Sequence, residues 1–172
     1  MDLDLLVSLL YLIASNMEKL LQQINAWREA GDSIVFTNGV FDILHVGHVT
    51  YLEQAAASGT RLIIGVNSDA SVRSLNKGPE RPINPEWARV RVLEALRCVD
   101  AAIVFSDHTP LELILAIQPD ILVKGGDYNP EETNESNKTY MVGSKEVKAS
   151  GGKAIAIPLV EGFSTTNILS KR

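Results

Sequence analysis

Two hydrophobic rhythms run along this chain. Over residues 3–29 apolar side chains recur at helical steps, with Leu5, Leu6, Leu9, Leu10, Ile13, Leu20 and Leu21 on one face and Gly31 as the stop. After Gly31, short unbroken apolar runs alternate with helical stretches. The runs at 33–37, 61–66, 101–105, 121–123 and 154–159 lack the apolar–polar alternation of a half-exposed strand, so they predict strands covered on both faces. The stretches 47–57, 70–75, 85–97, 110–117, 144–149 and 165–170 predict helices. Gly59 is expected as the residue closing the first of these, Pro85 opens the third, and Thr109 caps the fourth with Pro110 at its first position. Residues 76–85 and 127–139 predict polar loops. Strands separated by helices make a doubly wound, Rossmann-like α/β domain. The expectation is a parallel sheet of about five strands with helices on both faces, covering residues 32–172, and an N-terminal helical extension over residues 1–31. Ligands in such folds sit at the carboxyl ends of the strands, at the switch point.

Composition narrows the function classes. The 172 residues are 45% hydrophobic and 22% charged, which suits one globular domain, and the net charge of −5 argues against a broad nucleic-acid surface. Cys98 is the single cysteine, so no internal disulfide is possible and a reducing cytoplasm is expected. It is expected in a helix core, with a reactive thiol as the sharper alternative. The apolar N-terminus is interrupted by Asp4 and Ser8, is too short to span a bilayer, and carries acids where a secretory signal carries Lys or Arg. It predicts an amphipathic helix packed on the domain or in a homodimer or higher homo-oligomer, with no membrane partner.

The candidate chemistry lies in "FTNGVFDILHVGHVTYLEQA", residues 36–55, at the end of the first strand. Two of the three histidines, His45 and His48, sit one helical turn apart behind a glycine turn. Amides at a helix start favour anions, and two imidazoles on one face can place two donors on one phosphate. The competing uses are metal ligation, for which no third ligand lies nearby in sequence, and a structural role. No P-loop pattern and no G-x-G-x-x-G follows the first strand.

"NGVFDILHVGH" resembles the signature of the cytidylyltransferase-like nucleotidyltransferase superfamily, and "GFSTTNI" resembles its late phosphate-binding motif. "VNSDASV", "RPINPEWARVRVLEALRCVD" and "PDILVKGGDY" match in order between them, so the resemblance runs from about residue 32 to the end. "LVKGGDY", "GSKEV" and "STTNI" look most like the bacterial ADP-heptose synthesis adenylyltransferases, in the free-standing rather than kinase-fused form. The resemblance implies AMP transfer from ATP, with Mg²⁺ on the triphosphate, to D-glycero-β-D-manno-heptose 1-phosphate. It implies His45, His48 and Lys77 as catalytic residues. It implies nucleotide contacts from Thr37, Asn38, Gly39, Phe41, Arg89, Lys124, Gly126, Ser164, Thr165 and Thr166, with Arg89 facing the phosphates. Asp42, Asp69 and Asp127 are implied on the substrate side, although a helix N-cap explains Asp42 equally well, and no resident metal site is implied.

Glycerol phosphate cytidylyltransferases carry an arginine where this chain has Leu159, and Gly-Asp-Asp where it has Gly125, Gly126 and Asp127. Both departures remove polar groups, which favours adenine over cytosine. The other readings are a cytidylyltransferase acting on an alcohol phosphate such as glycerol 3-phosphate, and a nucleotide-binding module without turnover. Both histidines and the whole Ser-Thr-Thr run are present, which argues against the module.

Overall fold

A computed structural model describes residues 3–75, 78 and 80–169, and the side chains of these except 3–14 and 167. Five parallel strands are laid out in the order β3-β2-β1-β4-β5: β1 (Ile34–Gly39), β2 (Arg61–Asn67), β3 (Ala101–Phe105), β4 (Ile121–Gly125) and β5 (Lys153–Ile157). The order reverses between β1 and β4, which is the switch point of a doubly wound sheet. The helices are α1 (Leu3–Glu29), α2 (Val46–Ala56), α3 (Asp69–Ser74), α4 (Glu86–Glu94), α5 (Leu111–Ile117), α6 (Ser144–Ala149) and α7 (Thr165–Leu169).

The unbroken apolar runs have a simple cause. Consecutive strand residues point to opposite faces, and here both faces are covered. Ile34, Phe36, Ile63, Ile103, Phe105 and Leu122 join one core with Leu113, Ile114 and Ile117 of α5 and Val147 of α6. Val35, Leu62, Ile64, Val66, Ile121 and Val123 join the other with Tyr51, Leu52 and Ala55 of α2 and Leu93 of α4.

The C-terminal half of α1 belongs to the first core. Leu20 and Ile24 are buried there, and Met17, Leu21 and Trp27 pack against it. Arg28 donates to the carbonyls of Ile117 at 2.7 Å and Gln118 at 2.5 Å, so α1 also satisfies the end of α5. The remaining positions of the expected apolar face, Leu5 to Ile13, have side chains outside the described set. Among the described residues no helix is long and apolar enough to cross a membrane.

Several boundaries differ from expectation. Helix α4 ends at Glu94, three residues early, and Cys98 lies in the turn after it, half-buried against the second core. Burial pushes its thiol pKa up, which opposes a nucleophilic role. Helix α2 closes at Ala57 in ordinary helical geometry. Gly59 is instead a packing glycine, because a Cβ there would sit 2.6 Å from Val35 Cγ2 and 2.8 Å from Ser33 Oγ. Pro110 rather than Thr109 is the cap residue of α5, and the Thr109 hydroxyl accepts from the Leu111 amide at 3.4 Å.

Candidate active site

The switch point opens onto a cavity of about 370 Å³ lined by Val40, Phe41, Asp42, His48, Arg81, Thr165 and Thr166. A second hollow shares its wall and is lined by His45, Gly47, Tyr51, Leu159, Val160, Phe163 and Ser164 together with His48 and Thr165. Between them stand the two histidines. Their rings stack at 3.9 Å between centroids with 28° between planes. The Nδ1 atom of each is buried and makes no hydrogen bond among the described residues, which leaves Nε2 as the nitrogen each ring offers to the cleft.

Local chain geometry builds the stack. His45 is the N-cap of α2 in extended conformation, and its carbonyl accepts from the His48 amide at 2.9 Å. Gly47 is required by close approach. A Cβ there would lie 3.0 Å from His45 Nδ1 and 3.2 Å from the Phe163 Cβ, so any side chain would separate the histidine from the late loop. Phe41 adopts φ 49°, a conformation that a bulky residue holds only under constraint, and its ring lies 5.4 Å from that of His48.

Both imidazoles are held neutral. Burial, with His45 beside it adding to the effect, pushes His48 down to about 4, and burial lowers His45 as well. The unfolded chain protonates its histidines near pH 6.5, before the folded state does, so stability from this pair is complete above that pH and falls as the pH drops toward 4. The expected outcome is a melting midpoint that declines between about pH 6.5 and 4.5, and declines less steeply in His48→Ala. Equal slopes for the two proteins in a thermal melt series would overturn this.

Asp42 organises the floor of the cleft. Its side chain is 0% exposed and accepts from Arg81 Nε, from the Ile83 amide at 2.9 Å and from the Asn84 amide at 2.8 Å. Burial works to raise this carboxyl, but the Asn84 and Ile83 amides and the Arg81 guanidinium outweigh it, so its pKa lies below the ordinary value. The helix N-cap role is thereby overturned, since the cap position belongs to His45. Arg89 is 1% exposed. It donates to the carbonyls of Asn84 at 3.0 Å, Val40 at 2.6 Å and Asn67 at 2.7 Å, and to Asp69 Oδ1 at 2.7 Å. Arg89 therefore does not face the phosphates, as the resemblance implied, but ties the ends of β1 and β2 to the loop before α4. Asp69 is committed to that arginine.

Thr37 is fully buried, and its hydroxyl meets the Tyr51 hydroxyl at 2.6 Å. Burial pushes Tyr51 up to about 12, so it remains a phenol that also donates to the Val123 carbonyl at 3.3 Å. Across the switch point, Lys124 at the end of β4 donates to Asn38 at the end of β1 and lies 5.7 Å from the Tyr128 ring. Gly126 turns the chain at φ 104° and donates to the Ile157 carbonyl at 2.9 Å, while Asp127 is exposed. Leu159, 63% exposed, abuts the Cβ positions of Gly125 and Gly126 at 3.0 and 3.4 Å. The two departures noted in the sequence are therefore neighbours in space.

The structure thus brings His48, Thr165, Thr166, Phe41 and Asp42 to one cavity, and His45 and Ser164 to the adjoining hollow that shares His48 and Thr165 with it. Lys77 lies outside the described residues. No group of three His, Cys, Asp or Glu side chains among the described residues could hold a metal ion. Sequence reasoning gave no role to Arg81, Tyr51 and Phe163, which line the hollows: each lies inside or just after a matched segment, but nothing local shows which of a segment's side chains turns toward the cleft.

A parallel sheet with stacked neutral histidines at its switch point, facing a threonine-bearing helix start, defines a nucleotidyltransferase-like α/β domain. The cytidylyltransferase-like family model matches residues 36–171, and the chain belongs to that family. It is 50% identical over 156 residues to the bifunctional protein HldE of Methylobacillus flagellatus, covering 91% of this chain. It is 51% identical over 154 residues to HldE of Escherichia coli O1:K1 / APEC, covering 90% of this chain. In both cases it spans only 30% of the relative's length. Among solved structures it resembles the lipopolysaccharide core biosynthesis protein of Thermoplasma volcanium GSS1, at TM-score 0.57 and 26% identity over 75% of this chain and 97% of that one. The pantothenate synthetase of Thermus thermophilus, at TM-score 0.52 and 15% identity over 79% of this chain and 61% of that one, shares the fold.

Proposed function

We propose that this chain is an adenylyltransferase that transfers AMP from ATP to D-glycero-β-D-manno-heptose 1-phosphate. The observation that carries the reading is the neutral, stacked His45–His48 pair at two adjoining hollows that share His48 and Thr165, with Thr166 lining the first. The likeness to HldE over about nine-tenths of this chain supports the sugar, as do the motifs shared with ADP-heptose synthesis enzymes.

The chemistry suits these residues. An ionised sugar-phosphate oxygen attacks the α-phosphorus, the bond from that phosphorus to the α,β-bridging oxygen breaks, and pyrophosphate leaves with the electron pair. The attacking oxygen carries no proton at neutral pH, so no general base is required, and the work is positioning and charge stabilisation. His45 and His48 donate from Nε2 toward the phosphate chain. Ser164, Thr165 and Thr166 supply hydroxyls beside it, and the amides of the β1 loop approach it through Gly39. Mg²⁺ would come with the triphosphate and offset part of its charge. Residues 32–172 carry the chemistry and α1 covers one face of their sheet. A cytoplasmic location fits soluble nucleotide and sugar-phosphate substrates, and a homodimer or higher homo-oligomer is the expected assembly.

Leu159 against Gly126 leaves an apolar wall where a cytidine-specific site would place polar groups. ATP is therefore expected to exceed CTP in kcat/KM by at least about tenfold, the scale of one lost polar contact or more. Pyrophosphate release with each nucleoside triphosphate, against a panel of sugar 1-phosphates and glycerol 3-phosphate, tests both halves of the proposal. Preference for CTP and an alcohol phosphate would replace it with the cytidylyltransferase reading, and nucleotide binding without pyrophosphate release would leave the binding module.

A further inference from the structure

The cleft that would hold the nucleotide's phosphates contains a cation that neither the motifs nor the family resemblance singled out. His48 is neutral near pH 7. Thr165 and Thr166 carry no charge. Asp42 is anionic, but its oxygens are taken up by Arg81 and the Ile83 and Asn84 amides. Arg89 sits nearby with its donors spent on the Val40, Asn67 and Asn84 carbonyls and on Asp69. Among the described residues lining the cavity, Arg81 is the one permanent cation.

Its geometry is that of a prepared ligand. The side chain is 11% exposed, so it is not a solvated surface arginine. Its Nε is fixed on the buried Asp42 carboxylate, and its terminal nitrogens make no hydrogen bond among the described residues. The segment that carries it is pinned to the same residue, because Asp42 also accepts the Ile83 and Asn84 amides and its carbonyl accepts from Asn84 Nδ2 at 2.6 Å. An arginine held by Nε keeps the terminal edge of its planar fork for a bidentate partner, and phosphate oxygens match that spacing. Immobilising the side chain beforehand removes an entropic penalty from binding.

We propose that Arg81, positioned by Asp42, binds the β- and γ-phosphates of the nucleotide and stabilises the departing pyrophosphate. The inference rests on the nucleotidyl-transfer reading of the cleft, but it is independent of which sugar phosphate is the acceptor. Negative charge grows on the leaving pyrophosphate as the α–β bond breaks, and Arg81 is the fixed positive charge in that cavity.

The test measures binding of Mg²⁺-pyrophosphate and of AMP by calorimetry on the wild type, Arg81→Gln and Arg81→Lys, alongside kcat and KM for both substrates. In Arg81→Gln, pyrophosphate affinity should fall at least about tenfold and kcat/KM for ATP on the order of 10²-fold, the scale of one lost charge-stabilising donor. AMP affinity and the sugar-phosphate KM should change less than about twofold, within the scatter of a contact not made. Arg81→Lys should recover little, because a lysine cannot hold Asp42 and grip two phosphate oxygens together. Wild-type pyrophosphate affinity in either variant would overturn the assignment. So would an equal loss of AMP and pyrophosphate binding, which marks a structural role, or a defect confined to the sugar-phosphate KM. If Arg81→Gln does not fold, Arg81→Lys carries the same readouts. Pyrophosphate binding needs no acceptor, so it decides Arg81 even if the wild type turns over none of the sugar phosphates, an outcome that would sink the heptose reading alone.

Discussion

Replacing His48 with alanine is expected to lower kcat on the order of 10²-fold or more while ATP affinity changes much less and the fold survives. In the proposed reaction the triphosphate would be held in the ground state by the hydroxyls of Thr165 and Thr166 and by the Mg²⁺ it would bring. Charge reaches the bridging oxygen only as the α–β bond breaks, so a donor aimed there is felt mainly in the transition state. Loss of His48 also removes one face of the 3.9 Å stack, which leaves His45 without the ring that orients it. His45→Ala should behave similarly, and the double variant should lose less than the product of the two factors, because the rings act as a unit on one phosphate group. Single-turnover rates and nucleotide binding on the three variants decide the matter. Abolished ATP binding with a normal rate for bound substrate would make the histidines ground-state ligands instead.

The second large effect is expected at Arg89. Arg89→Leu should destabilise the protein by about 3–5 kcal/mol, the scale for removing one partner of a buried ion pair. The side chain is 1% exposed, and its loss strands the carbonyls of Val40, Asn67 and Asn84 together with the Asp69 carboxylate. For a domain of this size the melting midpoint should drop by roughly 10 °C. Because Val40 follows β1 and Asn84 contacts Asp42, the surviving folded fraction should also bind ATP more weakly. A melt within a degree or two of wild type, with impaired ATP binding alone, would show that Arg89 contacts phosphate and would restore the role the resemblance implied.

Much of the site's outline was legible because it is local. His45, Gly47 and His48 fall within one helical turn, and the stack follows from that spacing with a glycine between them. Thr165 and Thr166 likewise open a helix within their own segment, directly after Ser164. What escaped were residues whose partners are distant in the chain. Asp42 looked like a cap for the helix that follows it, yet its partners are 39 to 42 residues away, at Arg81, Ile83 and Asn84. Arg89 matched a phosphate-facing position by pattern, but its guanidinium is claimed by the Asn84 carbonyl nearby and by Val40, Asn67 and Asp69, which are 20 to 49 residues away. Arg81 opens a segment that matches the family, but nothing local to it shows that its guanidinium meets Asp42 and the cleft.

By itself the sequence determined the strand and helix rhythm, the parallel class of the sheet and the histidine pair. Those depend on side-chain periodicity and on neighbours one helical turn apart. Only the tertiary structure decided which buried charge meets which. An arginine's role is set by whether its donors find carbonyls or open space, and that depends on how loops from β1, β2 and the segment before α4 converge. The same convergence decided that Gly59 yields room to Val35, that Leu159 lies against Gly126, and that Arg89 closes the scaffold while Arg81 faces the cleft.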